Sequence, residues 1–281
     1  MKEIDLLYKE LNLRYGPVLR ARKCFLYTKK GVRVTDMFQE NGKAILGWGN
    51  PKPFTQFKNT MNRGITGSFF TEYENRIQKA VSDLLNSKRI VYLFKSKQAA
   101  LKCALTLSPS DTTFWRPWNP DVNKWDDKSV VIVVPPFAWE EDIYIVAALP
   151  EIVEIADAAG KELIASERIA APYLVGIARA IYDVISEIPL RKETDWFKYD
   201  NVLSKYWTRK GPYLFPKMNE EMYKKFVAHC LDCSILINPE YNNPSIIPFG
   251  ADIGVFTKLK NNPFDFELVD SFTNIAEIIQ F

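Results

Sequence analysis

The fold is indicated first by the stretch Cys24-Phe-Leu-Tyr-Thr-Lys-Lys-Gly-Val-Arg-Val-Thr-Asp36-Met-Phe. Apolar and polar side chains alternate on both sides of Lys30-Gly31, which is typical of two half-buried β-strands. Glycine adopts a positive φ without steric cost, so Gly31 suits the turn between these strands. The stretch therefore predicts a β-hairpin.

The segments next to the hairpin carry helix and turn patterns. Leu6 to Leu13 has the apolar spacing of a helix, which Gly16-Pro17 ends. After the hairpin, Gly47-Trp-Gly-Asn-Pro51 is a turn cluster. A helix is then predicted from Thr71 to Leu85, with Thr71 and Glu74 forming its capping box.

Further along the chain, apolar runs predict short buried strands and amphipathic helices. The predicted strands are 89–94, 130–134 and 234–237, and the predicted helices are 99–107, 171–188, 220–231 and 267–281. The run 143–149 fits a strand or a helix, because a short apolar run does not distinguish them. Residues 108–128 are predicted to form a loop, and 150–165 have a mixed pattern. Interspersed strands and helices indicate the α/β or α+β class.

Composition excludes several classes of function. The 281 residues are 47% hydrophobic, and their formal charge is only +3, which is not the basic surface of a nucleic-acid-binding protein. The longest apolar runs each end at a proline and are too short to cross a bilayer, so no membrane contact is expected. The four cysteines do not suggest a secreted disulfide scaffold in a chain of this length. We expect a cytoplasmic protein with reduced thiols.

The sequence His229-Cys-Leu-Asp-Cys233 places three metal-binding side chains within five residues. A structural zinc site requires four ligands, and the remaining cysteines, Cys24 and Cys103, are distant in sequence. On a helix, Cys230 and Cys233 lie one turn apart, where they serve as small buried residues. We therefore expect no metal site.

Four stretches, taken in order, resemble the class III, fold-type-I aminotransferases that depend on pyridoxal phosphate. The arm and hairpin from Gly16 to Pro51 are similar to the family's amino-terminal part. Thr71 to Phe94 resembles its first large-domain helix and strand, and Ala171 to Ile185 resembles the helix that bridges the two domains. Gly211 to Tyr241 is similar to the carboxy-terminal small domain. The shared order carries the resemblance, since each stretch alone is common.

The resemblance implies a reduced fold-type-I aminotransferase-like α/β protein. A small α+β domain would be built from both chain ends, with residues 1–60 as arm and hairpin and residues 189–281 as its carboxy-terminal part. Residues 61–188 would form a truncated large domain that ends in the bridging helix. Because the family completes its site across a large subunit interface, the resemblance also implies a homodimer.

The cofactor machinery of the family is only partly matched. Its phosphate-binding turn corresponds to residues 93–102, where Ser96, Lys97 and Gln98 would contact pyridoxal phosphate, but the expected glycine is absent. Lys161 is the candidate for the lysine that binds the cofactor, although a solvated helix lysine is the alternative. No strand carries the family's acid. No arginine follows Arg209 to bind a substrate carboxylate.

Three hypotheses follow from this comparison. In the first, the chain is aminotransferase-like, has lost the cofactor machinery and acts as a scaffold or interaction protein. In the second, it is a minimal pyridoxal-phosphate-dependent aminotransferase that uses Lys161. In the third, it is an unrelated α/β binding module.

Overall fold

The computed structural model describes residues 3–122 and 124–266. The chain divides into two units, the first comprising Met1–Gly49 and Arg191–Phe281 and the second comprising Asn50–Leu190. The described helices are α1 (Glu3–Tyr15), α2 (Pro51–Asn62), α3 (Tyr73–Leu84), α4 (Lys97–Leu107), α5 (Pro150–Ala158), α6 (Ala171–Glu187), α7 (Glu193–Phe197), α8 (Asp200–Leu203), α9 (Glu220–Asp232) and α10 (Thr257–Asn261). The described strands are β1 (Val18–Arg22), β2 (Phe25–Thr28), β3 (Arg33–Asp36), β4 (Ile90–Phe94), β5 (Thr112–Phe114), β6 (Val130–Val133), β7 (Tyr144–Ala148), β8 (Trp207–Lys210), β9 (Tyr213–Pro216), β10 (Ile235–Leu236) and β11 (Ser245–Ile246).

These elements confirm the predicted α/β class and an α+β unit built from both chain ends. The predicted hairpin is β2 and β3, which pair antiparallel, and Gly31 has φ +77 in the turn between them. The ambiguous run 143–149 forms the strand β7. The helix predicted at 267–281 lies outside the described residues.

The predicted capping box of α3 was wrong in detail. The helix begins at Tyr73, later than a cap at Thr71 requires. The Thr71 hydroxyl donates to Oε2 of Glu74 at 2.9 Å and accepts the Tyr73 N–H at 3.3 Å. The Thr71 hydroxyl therefore bonds to the Glu74 side chain and to the Tyr73 N–H, which is not the reciprocal pattern of a capping box.

The first unit is built on a four-stranded sheet in the order β1-β2-β3-β10. The pairs β1–β2 and β2–β3 are antiparallel, whereas β10 from the carboxy-terminal part runs parallel to β3. The core on this sheet joins α1 and α9 to the strands, and its buried residues are Leu7, Leu11, Leu26, Val34, Phe38, Leu231 and Leu236. A second sheet of this unit has the order β11-β9-β8. Both ends of the chain are thus required for one core.

The second unit is built on a four-stranded sheet in the order β4-β7-β6-β5. Its central strand β7 is antiparallel to β4 and β6, and β5 is parallel to β6. All four residues of β6 are buried, so both faces of the sheet are covered. One face packs against α4 and α5 through a cluster that includes Phe94, Ala100, Cys103 and Val153.

An extended segment follows α5 and covers the outer edge of β4. The Leu93 N–H donates to Oγ of Ser166 at 2.8 Å, and the Glu167 N–H donates to the Leu93 carbonyl at 2.7 Å. Unpaired strand edges can pair with other chains, and this contact satisfies the N–H and the carbonyl of Leu93 on that edge. The contact also brings Glu167 to the end of β4, where α4 begins.

Gly47 has a left-handed backbone conformation and lies close to Lys23, the residue that follows β1. Its φ is +90, and a Cβ at this position would lie 3.0 Å from Cα of Lys23. We expect Gly47→Ala to destabilise the first unit by about 2–3 kcal/mol. The cost of the left-handed backbone and the cost of the steric clash with Lys23 both contribute to this loss. Gly31→Ala is the matched control: Gly31 also has a positive φ, but no described atom lies within 4 Å of its Cβ position.

The control variant should lose about 1 kcal/mol, the part that the left-handed backbone alone contributes. Urea unfolding of the two variants measures the difference. Equal losses would show that the approach of Lys23 to Gly47 has no energetic consequence.

Candidate functional site

The amino terminus of α4 holds the predicted phosphate-binding residues. Ser96 is its N-cap, in an extended conformation, and its Oγ accepts the Ala99 N–H at 3.4 Å. The same hydroxyl donates to Oε1 of Gln98 at 3.0 Å. The Ser96 side chain therefore already satisfies its own helix, as an N-cap serine does in an ordinary helix.

Lys97 and Gln98 are exposed at the first turn of α4. Nζ of Lys97 lies 5.7 Å from the ring centroid of Phe114, so this ammonium group faces an aromatic ring. Just before the helix, Oε1 of Glu167 accepts the Lys95 N–H at 3.2 Å. A carboxylate therefore lies within the approach to the helix amino terminus, where it would repel a bound anion.

Lys161 lies at the other end of α4. Its Nζ donates to the carbonyl of Thr106 at 2.8 Å and to that of Leu107 at 3.5 Å. A lysine in this place binds helix carbonyls that lack an intrahelical partner, and it interacts favourably with the helix dipole. The structure brings Ser96, Lys97 and Gln98 together but does not bring Lys161 to them.

The sheet of the second unit carries no acid in its strands. Within the described chain, β4, β5, β6 and β7 read Ile-Val-Tyr-Leu-Phe, Thr-Thr-Phe, Val-Val-Ile-Val and Tyr-Ile-Val-Ala-Ala. These described strands therefore offer no carboxylate that would hold the ring nitrogen of pyridoxal phosphate in its protonated form.

Arg209, the last arginine of the chain, is engaged by carboxylates of its own unit. Its Nε and Nη2 donate to Asp200 at 2.7 and 2.8 Å, and Nη2 also donates to Glu193 at 2.6 Å. These carboxylates raise the pKa of the Arg209 guanidinium. They also occupy the donors that would otherwise bind a substrate carboxylate.

Asp36 is a polar centre that sequence reasoning missed. It is 1% exposed, and its Oδ1 accepts the Phe38 and Gln39 N–H groups at 3.0 and 2.8 Å. Its Oδ2 accepts Nε1 of Trp48 at 2.6 Å. Burial raises the pKa of this carboxyl to about 6, against the opposing effect of these hydrogen bonds. Its position after a strand and before a glycine-bearing loop was the only signal in the sequence.

The loop that Asp36 holds has an uncommon backbone. Gln39, Glu40 and Asn41 have φ values of +48, +50 and +55, and Gly42 continues the left-handed run at +89. Oε1 of Gln39 is buried and has no hydrogen-bond partner among the described residues. Left-handed conformations of non-glycine residues persist only where surrounding contacts impose them, and the three bonds to Asp36 are such contacts.

The histidine and the cysteines of the CxxC sequence serve the packing of α9. Nε2 of His229 lies 2.8 Å from the Asn262 carbonyl and 3.9 Å from Sγ of Cys233. Burial raises the pKa of both the Cys230 and the Cys233 thiols. Among residues 3–122 and 124–266, no group of three or more histidine, cysteine or acidic side chains is arranged to hold a metal ion. No described helix is long and apolar enough to span a membrane.

Comparison with solved structures identifies the fold. An omega-transaminase from Sphaerobacter thermophilus aligns with a TM-score of 0.63 at 10% identity, over 86% of this chain and 90% of that one. Acetylornithine aminotransferase from Elizabethkingia anophelis gives 0.63 at 10% identity, over 90% and 96%. Ornithine aminotransferase from Plasmodium yoelii gives 0.63 at 10% identity, over 93% and 97%.

Comparison with curated sequences finds two relatives. An uncharacterized protein of Treponema pallidum is 28% identical, over 85% of this chain and 91% of its own length. An uncharacterized protein of Borreliella burgdorferi is 30% identical over 37% of this chain and 38% of its own. No family model matches the sequence. At 10% identity the structural likeness shows the fold alone: the chain has an aminotransferase-like fold of type I.

Proposed function

We propose that this chain is an aminotransferase-like protein that does not use pyridoxal phosphate and acts as a scaffold through contacts with other protein chains. The observation that carries the proposal is the separation of Ser96 from Lys161. They lie at opposite ends of α4, whose 11 residues span roughly 16 Å at 1.5 Å per residue. A cofactor whose phosphate is bound at Ser96 therefore does not place its carbonyl carbon at Lys161.

The other requirements of pyridoxal phosphate are also unmet by the residues considered for them. The Ser96 hydroxyl is engaged with Ala99 and Gln98, and Glu167 lies beside the helix start. The described sheet strands of the second unit carry no carboxylate. We infer that these residues do not fit the cofactor.

Exposed aromatic side chains on the second unit support the interaction role. Phe69 and Phe70 are 53% and 95% exposed. On the same unit, α2 contributes Phe54 and Phe57 to a group of rings with Phe137, Trp139 and Tyr173. Phe137 is buried, and the other four rings are partly exposed. Aromatic residues are enriched in protein interfaces, where their apolar surface is buried. We propose a second copy of the chain as the partner.

A labelling experiment tests the loss of cofactor binding. Purified protein is mixed with pyridoxal phosphate, reduced with borohydride and mapped by mass spectrometry, beside Lys161→Met. We expect scattered, substoichiometric labelling of surface lysines that is the same in both proteins. A stoichiometric adduct at Lys161 that disappears in the variant would contradict the proposal and favour the enzyme.

The same variant tests the structural role of Lys161. Removal of its ammonium group from the carbonyls of Thr106 and Leu107 should lower the stability of the second unit by about 0.5–1 kcal/mol. Lys102→Met, at an exposed position in the middle of α4, is the matched control and should change stability less. Equal effects in urea unfolding would argue against a capping role.

Analytical ultracentrifugation tests the partner. We expect the wild-type chain to sediment as a dimer and the double variant Phe69→Ser, Phe70→Ser to dissociate more readily. Ile155→Ser removes an exposed side chain of the same unit, 62% exposed, and should leave the dimer intact. A wild-type monomer across the accessible concentration range would contradict self-association.

A further inference from the structure

A cleft of about 380 Å³ opens on the first unit. Its lining comes from three separate segments, namely β3, the end of α9 and the turn that leads into α10, and includes Arg33, Thr35, Cys233, Ser234, Gly254 and Lys258. The lining includes none of the residues considered above for pyridoxal phosphate, namely Ser96, Lys97, Gln98 and Lys161. The cleft has the size of a pocket for a small molecule.

The charge of the lining is positive. Neither Arg33 nor Lys258 forms an ion pair with any carboxylate of the described chain, whereas Arg14 and Arg209 of the same unit do. The Arg33 guanidinium is held over the Phe25 ring, with Cζ 4.5 Å from its centroid. Two cations without carboxylate partners therefore lie along one cleft.

The carboxylates closest in sequence to the lining, Asp232 and Asp252, are not part of it. Asp232 pairs with Arg14 at 2.8 Å, and Oδ1 of Asp252 accepts the Gly254 N–H at 2.7 Å. The Cys233 thiol adds no negative charge, because burial raises its pKa. The cleft thus has an excess of positive charge that no lining residue neutralises.

Ser234 supplies a hydroxyl to the cleft from a strained position. Its φ is +63, a conformation in which glycine is favoured after a helix. The Ser234 Oγ accepts from Nζ of Lys258 at 2.9 Å and lies 3.4 Å from the Tyr15 hydroxyl. Glycine would remove the strain but would also remove this hydroxyl, so the side chain fixes Lys258 at the cleft.

We propose that this cleft binds the phosphate group of a small phosphomonoester. A phosphomonoester carries a charge of about −1.5 to −2 near neutral pH, which balances the two cations of the cleft. A guanidinium donates to phosphate through two parallel N–H groups, and an ammonium group binds it as a point charge. The Ser234 hydroxyl adds a donor or an acceptor beside them.

Calorimetric titration at low ionic strength tests the proposal, because salt screens exposed charges. The probes are inorganic phosphate, glycerol phosphate and vesicles that contain phosphatidate. We expect both soluble phosphates to bind, and Lys258→Met and Arg33→Met each to weaken binding roughly fivefold, the factor for one exposed charge pair at contact distance. Lys258→Arg should restore most of the affinity lost in Lys258→Met.

Two further variants separate specific binding from general attraction and from unfolding. Lys260→Met removes an exposed charge of the same helix outside the cleft and should leave binding unchanged. Ser234→Gly should raise the melting temperature, because the strain is removed, and still weaken phosphate binding. Equal losses in Lys258→Met and Lys260→Met, binding of vesicles alone, or no binding of either soluble phosphate would overturn the proposal.

Discussion

Replacement of Arg89 by methionine is expected to destabilise the second unit by about 3–5 kcal/mol, because several buried carbonyls lose their donor at once. Arg89 precedes β4 and is fully buried. Its guanidinium donates to the carbonyls of Lys128 at 2.5 Å, Trp125 at 2.8 Å and Asp126 at 3.2 Å. Its Nε donates to Oγ of Ser87 at 2.9 Å.

The Arg89 guanidinium therefore supplies the backbone carbonyls of the loop before β6 with the hydrogen bonds that a helix or a sheet would otherwise provide. Hydrogen exchange of the β6 and β7 amides measures the effect within the second unit, because protection there reports its opening free energy. Arg76→Met removes an exposed arginine with a surface ion pair to Glu72 and should change stability by less than about 1 kcal/mol. Protection in Arg89→Met equal to that in Arg76→Met would show that water or other groups satisfy these carbonyls.

Replacement of Asp36 by asparagine is expected to destabilise the first unit by about 2–4 kcal/mol. The amide group of asparagine has one acceptor oxygen, so it does not accept from Trp48 and from the backbone N–H groups of Phe38 and Gln39 at the same time. Asp232→Asn, which disturbs a surface ion pair of the same unit, should change stability by less than about 1 kcal/mol.

The effect of Asp36→Asn should also depend on pH. The pKa of Asp36 is about 6 in the folded chain and 3.8 as the ordinary value, so the folded state binds the proton more tightly. Stability from this group is therefore fully present below about pH 4 and is lost as pH rises through about 6. The loss on substitution should be larger at pH 5 than at pH 7 by about 1 kcal/mol. A loss that is larger at pH 7 would show that the hydrogen bonds lower the pKa of Asp36 by more than burial raises it.

Strong periodicity made most elements of this fold predictable from sequence. The hairpin around Gly31 and the long helix α6 show their period directly, and the structure confirms both. The helix α2 was not predicted, because the cluster that ends at Pro51 was interpreted as a turn, and Pro53 follows two residues later. Both prolines lie in its first turn, where the missing N–H groups have no intrahelical acceptor, and Asn50 caps the helix.

Sites formed by distant residues could not be predicted in this way. The run 143–149 became a strand because β4 and β6 pair with it on both sides, which is a tertiary effect. Asp36 depends on Trp48 and on a left-handed loop, and neither follows a motif. Lys161 had a sequence context similar to that of the family, but its role is set by the helix end that it contacts.

The pairing of β3 with β10 has a consequence for synthesis on the ribosome. Thr35 pairs with Ile235, so β3 leaves the ribosome about 200 residues before its partner. The second unit lies between these strands and is complete before β10 is translated. During that interval β1, β2 and β3 can pair with one another, but the edge of β3 that later pairs with β10 is open. This open edge makes the nascent chain vulnerable to association with other chains. A chaperone that binds this chain during translation should therefore bind the early hairpin.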